Sequence, residues 1–135
     1  MRRAARAGGE SGTLPAGLAV AQLEFLSCLA ENPGARPGQL ARMLRLAPSS
    51  VATLVGGLLR EGLVTRTGGA PDRRTAVLEL TAAGQDAVDR WQELNARIVR
   101  AAVAAMAPGS AAALAQALPA LRELTAAVDA LADAP

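Results

Sequence analysis

The sequence predicts a mainly α-helical protein with one small β-hairpin. Apolar residues recur at spacings of three and four along most of the chain, which is typical of amphipathic helices. Apolar and polar residues alternate, as is typical of β-strands, only near the middle of the chain, in two short runs separated by turn residues. The 135 residues, 51% of them hydrophobic, are enough for about one domain with a core.

The first half of the chain contains three predicted helices. Residues 18–31, 37–46 and 48–62 have the apolar spacing, and the second and third segments open with a proline, which suits a first helical turn. Met43 is expected to face the core together with its leucine neighbours. Residues 1–17, rich in glycine and arginine, are expected to form a flexible or partly helical arm.

The spacing of apolar residues changes from helical to strand-like after the third helix. Residues 63–67 and 75–80 are predicted strands, and the turn residues between them predict a hairpin with a basic tip. A helix is predicted from Thr81, which is a suitable N-cap. Residues 108–110 (Pro-Gly-Ser) should break this helix, and Pro119 should kink or interrupt the last one. Three helices, a hairpin and two helices make a winged helix-turn-helix with terminal helices.

The composition excludes several kinds of site. The chain has no histidine and one cysteine, so we expect no metal site, no disulfide framework and no histidine-dependent nucleophile. No glycine-rich cofactor loop is present, and we expect neither a cofactor nor an enzyme. Phe25 and Trp91 are the only aromatic residues, too few for a single-strand stacking platform, and we assign them to the core or, if a ligand site exists, to the lining of its pocket. Cys28 lies on an apolar helical face and is interpreted as core rather than as a redox sensor. No apolar run is long enough to span a membrane, and a cytoplasmic location is expected.

The positive charge is concentrated in the middle of the chain. The net charge is only +2, but half of the 14 basic residues, all of them arginine, lie between Arg36 and Arg74. Only Glu61 and Asp72 oppose them in that stretch. A local basic patch is typical of a protein that binds a polyanion, although a solvated surface with scattered charge gives the same pattern.

The central segment resembles the MarR-type transcriptional regulators. The resemblance is carried by residues 62–66 (Gly-Leu-Val-Thr-Arg), 72–74 (Asp-Arg-Arg) and 80–84 (Leu-Thr-Ala-Ala-Gly), in this order after a helix-turn-helix, and it extends over residues 18–131. It implies a homodimer that binds double-stranded DNA at a palindromic site. It also implies a repressor that responds to a small aromatic or phenolic effector.

The start of the third helix is the part of the chain predicted to contact the DNA bases. A helix-turn-helix presents this end to base edges in the major groove, so Ser49, Ser50 and Thr53 are predicted DNA contacts. The alternative for the two serines is helix capping. Gly56 and Gly57 stand where the family usually has polar residues, and we therefore expect weaker base readout.

The hairpin tip is the second predicted DNA contact. Arg73 and Arg74 are expected to reach a minor groove, with Arg74 inserted and Asp72 pairing with one arginine to brace the wing. The alternative is an exposed ion pair of under about 1 kcal/mol. The remaining candidates are predicted to contact phosphates: Arg36, Arg42, Arg45 and Arg66. The alternative is that these arginines lie on solvated helix and strand faces without binding DNA.

These assignments divide the chain into three parts. Residues 1–17 are the arm, residues 18–81 the winged helix-turn-helix DNA-binding domain, and residues 82–135 the helices of a homodimer interface. The leading hypothesis is a sequence-specific DNA-binding transcriptional regulator. The alternative is a winged-helix module that binds protein and not DNA, and the salt dependence of duplex binding distinguishes the two.

Overall fold

A computed structural model describes residues 14–69, 71 and 75–133 of the chain. Most of the predicted arm, residues 1–13, lies outside this range. The elements, in chain order, are a 3-10 turn (Pro15–Gly17), α1 (Val20–Glu31), α2 (Pro37–Leu44), α3 (Pro48–Arg60), β1 (Val64–Thr67), β2 (Val77–Leu80), α4 (Ala82–Ala104) and α5 (Pro108–Ala132). The predicted fold class, mainly α with one antiparallel hairpin, is confirmed.

The chain forms two compact units, the first reaching Ala96 and the second starting at Arg97. The core of the first unit comes from one face of each of α1, α2 and α3, from the hairpin and from the start of α4. Phe25 is fully buried and Trp91 nearly so, as expected from the sequence. Each fully buried leucine or phenylalanine side chain contributes about 1.5–3 kcal/mol, so this core holds the three helices together.

Met43 does not face the core, and the expectation from the sequence was wrong. Its side chain is 50% exposed, whereas Leu40 and Ala41 are buried. The reason is geometric, because α2 has only eight residues and its buried row runs through Leu40, Ala41 and Leu44. Met43 is turned away from that row by the 100° step of the helix.

The turn after α3 is a Schellman motif. Gly62, at a φ of 70°, donates its N–H to the Leu59 carbonyl, and Leu63 donates to the Leu58 carbonyl. This closes the end of α3 and directs the chain into β1. Strand β1 pairs with β2 in a register that places Val64 opposite Leu80 and ends with Thr67 opposite Val77.

Thr81 and Gly84 fasten the start of α4 to that turn. The Gly84 N–H donates to Thr81 Oγ1 at 3.1 Å, which confirms Thr81 as the N-cap. The Thr81 hydroxyl itself donates to the Gly62 carbonyl at 2.7 Å, and the Thr81 N–H donates to the Leu63 carbonyl at 3.1 Å. A Cβ on Gly84 would overlap the Leu63 carbonyl oxygen, so only glycine fits there.

The second unit contains the end of α4 and the whole of α5. Pro108 begins α5 as its first residue, and residues 105–107 form the break before it. The last helix runs through Pro119, so the interruption that was one of the two expectations is wrong, and the kink stays a prediction. The proline removes one N–H donor, but Ala115, whose carbonyl loses its partner, is exposed and can be hydrated. An apolar row along α5 is exposed: Leu114, Leu118, Leu121, Leu124, Val128 and Leu131. None of the described helices is long and apolar enough to cross a membrane.

Candidate nucleic-acid interface

Helices α2 and α3 form the helix-turn-helix, and Arg45 makes the turn between them. Arg45 has a left-handed conformation, with φ at 55° and ψ at 45°. Its N–H is shared between the Ala41 and Arg42 carbonyls, and the Leu46 N–H donates to the Ala41 carbonyl at 2.9 Å. The side chain of Arg45 is exposed. A left-handed conformation is unfavourable for a residue with a Cβ, so the turn holds this arginine at a cost.

Ser49 and Ser50 lie exposed at the start of α3, but they do not cap it. The N-cap is Ala47, Pro48 occupies the first helical position, and no side chain caps this end. The capping alternative for the two serines is therefore wrong. Since the first N–H groups of a helix lack internal partners, this end carries a partial positive charge toward solvent.

Thr53 is exposed one turn further along α3. Its hydroxyl donates to the Ser49 carbonyl at 3.1 Å, so its proton is committed to the helix backbone. Toward solvent, Thr53 presents its remaining oxygen lone pairs and its methyl group. The structure thus places all three predicted readers, Ser49, Ser50 and Thr53, on the solvent side of α3.

Three of the four arginines predicted to contact phosphates line one cavity. A cavity of about 630 Å³ lies between α2, α3 and β1, with Val51 and Val55 among its apolar wall residues. Arg36, Arg42 and Arg66 also line it and are exposed to solvent. Arg45 is not among its lining residues. The arrangement joins an apolar recess to three cationic groups on the helix-turn-helix.

The wing is described up to its tip. Gly68 and Gly69 both have positive φ, and a Cβ on Gly69 would lie 2.7 Å from the Ala76 Cβ. The Thr67 hydroxyl donates to the Val77 carbonyl at 3.3 Å and ties the two strands together. The predicted tip contacts, Asp72, Arg73 and Arg74, lie outside the described residues.

Arg60 has a position that our sequence analysis missed. Its guanidinium lies over the helix turn that contains Gly56 and Gly57. A Cβ built on Gly56 would be 3.6 Å from Arg60 Nη1, and one on Gly57 would be 3.9 Å from Nη2. The signal in the sequence is the spacing, since residues three and four apart share a helix face.

Cys28 is half-buried on α1. Burial raises the pKa of its thiol, the nearby Glu31 carboxylate raises it further, and a hydrogen bond from Asn32 works in the opposite direction. A raised pKa suppresses the thiolate that oxidants attack, which supports the interpretation of Cys28 as a packing residue.

The sequence and fold match one family. Residues 16–75 match the MarR family model. A MarR family protein from Bacillus stearothermophilus is 20% identical, with a TM-score of 0.74 over 93% of this chain and 86% of that one. Streptococcus pneumoniae FabT, solved in complex with DNA, is 20% identical, with a TM-score of 0.67 over 82% and 78%. The PcaV transcriptional regulator from Streptomyces coelicolor, solved with its natural ligand, is 24% identical, with a TM-score of 0.58 over 78% and 75%. No curated protein sequence matches significantly. Residues 16–75 of this chain therefore match the MarR family, and the fold of the chain is similar to that of solved MarR-family regulators.

Proposed function

We propose that this protein is a sequence-specific, double-stranded DNA-binding transcriptional regulator. In this proposal it acts as a homodimer on a palindromic operator and represses until a small effector binds. The observation that carries the proposal is one surface of the helix-turn-helix. It presents the hydroxyl-bearing start of α3 together with Arg36, Arg42 and Arg66 beside the cavity.

The chemistry of this surface suits a duplex. Double-stranded DNA carries one negative charge per about 1.7 Å of its axis, and arginines at phosphates supply most of the affinity. Arg36, Arg42, Arg45 and Arg66 are the proposed phosphate contacts. Ser49, Ser50 and Thr53 are the proposed contacts at the base edges, because the start of a recognition helix enters the major groove.

The wing supplies the proposed minor-groove contact. Asp72 pairs with one of the two tip arginines and braces the tip, and Arg74 enters the groove, where a narrow minor groove concentrates negative potential. The support from the structure is limited to the base of the wing, where the Thr67 hydroxyl donates to the Val77 carbonyl and Gly69 lies against Ala76.

The apolar row on α5 supports a homodimer. Six large apolar side chains along one helix are exposed, up to 78% for Leu131. A second copy related by a two-fold axis would cover this row, and residues 82–135 are the proposed dimerisation region. A two-fold dimer presents two reading helices about 34 Å apart, which matches one turn of DNA and requires a palindromic site.

The cavity supports an effector that competes with DNA. PcaV was solved with its natural ligand. Ligand response is therefore a property to test in the protein described here. Here the cavity combines Val51 and Val55 with Arg36, Arg42 and Arg66, a combination that suits a small aromatic or phenolic anion. A ligand that neutralises these arginines removes proposed phosphate contacts, and the protein leaves the operator.

The test is selection of bound duplexes from random DNA. We expect two inverted half-sites with centres about 10 base pairs apart. On the selected site, Arg74→Ala should weaken binding at least about tenfold, with little change in melting temperature, as expected for a minor-groove arginine. Arg97→Ala, which removes the same charge from an exposed position on α4, is the matched control; it should keep the dimer mass in light scattering and bind as the unmodified protein does.

A different result would favour the alternative function. If no duplex is enriched, or if duplex binding does not depend on salt, the alternative of a winged-helix module that binds protein is favoured. Equal binding by the Arg74→Ala and Arg97→Ala variants would remove the wing from the proposal. The cytoplasmic location expected from the sequence stays a prediction.

A further inference from the structure

The outer face of α3 is a row formed by Ser49, Thr53, Gly56 and Arg60. Their spacing of four, three and four residues places them in line along the helix. We propose that Arg60 is the guanine-reading residue of this helix, and that Gly56 and Gly57 provide the space in which its guanidinium lies. The inference rests on the proposed function, since it assigns a base preference to the same DNA-binding surface.

The two glycines are the first argument. Glycine is disfavoured inside a helix, and α3 has two in succession within its last two turns. The Arg60 guanidinium lies over Gly56, with Nη1 3.6 Å from the position of a Cβ there, and its Nη2 lies 3.9 Å from a Cβ position on Gly57, where Gln22 Nε2 of α1 is nearer at 3.3 Å. A long side chain at residue 56 would fill this space. The glycines therefore let the guanidinium fold back from the end of α3 toward its reading end.

The free donors of Arg60 are the second argument. Arg60 is exposed, and its side chain forms no ion pair or hydrogen bond with any residue in the described part of the chain. A guanidinium has five N–H donors in a planar fork and no acceptor. Guanine presents two adjacent acceptors, O6 and N7, on its major-groove edge, and this pair is the natural partner of an arginine fork.

The other residues of the row are the third argument. Ser49 and Gly56 are short, and the proton of the Thr53 hydroxyl is already donated to the Ser49 carbonyl. Arg60 is thus the residue of the row that can donate two parallel hydrogen bonds to one base. From Gly56 and Gly57 alone we expected weaker readout of the bases. The Arg60 guanidinium, one helical turn further on, offsets this loss because it supplies a polar group at the surface of the two glycines.

The experiment compares modified DNA with modified protein. Each guanine of the selected half-site is replaced in turn by 7-deazaguanine, which lacks the N7 acceptor. At one position we expect this to weaken binding by the unmodified protein about tenfold or more, the range for loss of a good base contact. Arg60→Ala should bind the unmodified site about tenfold more weakly, and 7-deazaguanine at the same position should cause no further loss.

Arg60→Lys distinguishes base reading from a phosphate contact. Lysine keeps the charge but lacks the fork, so it should restore the salt dependence and not the discrimination at that guanine. Full recovery by Arg60→Lys would make Arg60 a phosphate contact and overturn the proposal. Equal sensitivity of unmodified protein and Arg60→Ala to every 7-deazaguanine would also overturn it.

Gly56 variants test the space without removing the charge. Gly56→Leu should fill the space and abolish the 7-deazaguanine effect, whereas Gly56→Ala, whose Cβ would be in ordinary contact at 3.6 Å, should retain it. Retention of the effect in a folded Gly56→Leu variant would contradict the role of the glycines. Duplex binding without any guanine dependence overturns this inference alone, and absence of duplex binding by the unmodified protein overturns the proposed function as well.

Discussion

Gly84→Ala should destabilise the first unit strongly, although it adds one methyl group to a helix. The new Cβ would overlap the Leu63 carbonyl oxygen and lie 3.1 Å from the carbonyl carbon and 3.2 Å from Leu80 Cδ2. The oxygen belongs to backbone, so relief requires the first turn of α4 to move away from residues 62 and 63. That movement weakens three hydrogen bonds made through Thr81.

The size of the effect follows from those bonds. Each is worth about 1 kcal/mol net, so their loss costs about 3 kcal/mol. Alanine recovers up to about 1 kcal/mol of this, because it is the better helix former. We expect a net loss of about 2 kcal/mol in the free energy of unfolding, within the range of about 1–3 kcal/mol for overpacking.

The assay is chemical denaturation followed by circular dichroism. Gly38→Ala is the matched control, because Gly38 also lies in a helix of the first unit and its Cβ would meet no atom within 4 Å. We expect the control to be as stable as the unmodified protein or slightly more stable. Gly84→Ala as stable as this control would refute the reasoning about the turn.

Three further predictions follow from other positions. Arg45→Gly should raise the free energy of unfolding by up to about 1 kcal/mol, because glycine adopts the left-handed conformation without strain. The same substitution should weaken operator binding, because it removes a proposed phosphate contact. A lower melting temperature would contradict the first expectation. Cys28 should react with iodoacetamide more slowly than free cysteine at pH 7 and match it only at higher pH, because burial raises its pKa and lowers the thiolate fraction; an equal rate at pH 7 would argue for an accessible thiolate. Light scattering should give twice the 13.7 kDa chain mass, and Leu124→Glu should give the single mass, because it places a charge in the proposed interface; a monomeric unmodified protein would contradict the dimer.

Local rules explain what the sequence predicted well. Hydrophobic period, the prolines that open α2 and α3, and the threonine at the start of α4 each act within a few residues. The order of the elements and the winged helix-turn-helix followed from them. The MarR family, whose model matches residues 16–75, consists of non-enzymatic DNA-binding regulators, and that the chain is not an enzyme stays an expectation from the sequence.

The errors and omissions have tertiary causes. Met43 was assigned to the core because a short helix has too few residues to define its buried face. The interruption expected at Pro119 is absent because an exposed helix can hydrate the carbonyl that loses its donor. The overlap that excludes a side chain at Gly84 and the shared cavity of Arg36, Arg42 and Arg66 depend on how separate segments pack, which no local pattern contains.

The salt dependence of duplex binding tests the central claim most directly. In the proposed dimer, Arg36, Arg42, Arg45 and Arg66 supply eight candidate phosphate contacts. If only half of them form, fluorescence anisotropy should give a plot of log affinity against log salt with a slope of about −3.6 or steeper, from about −0.9 for each phosphate. A slope near zero, or no binding to any duplex at low salt, would contradict the account.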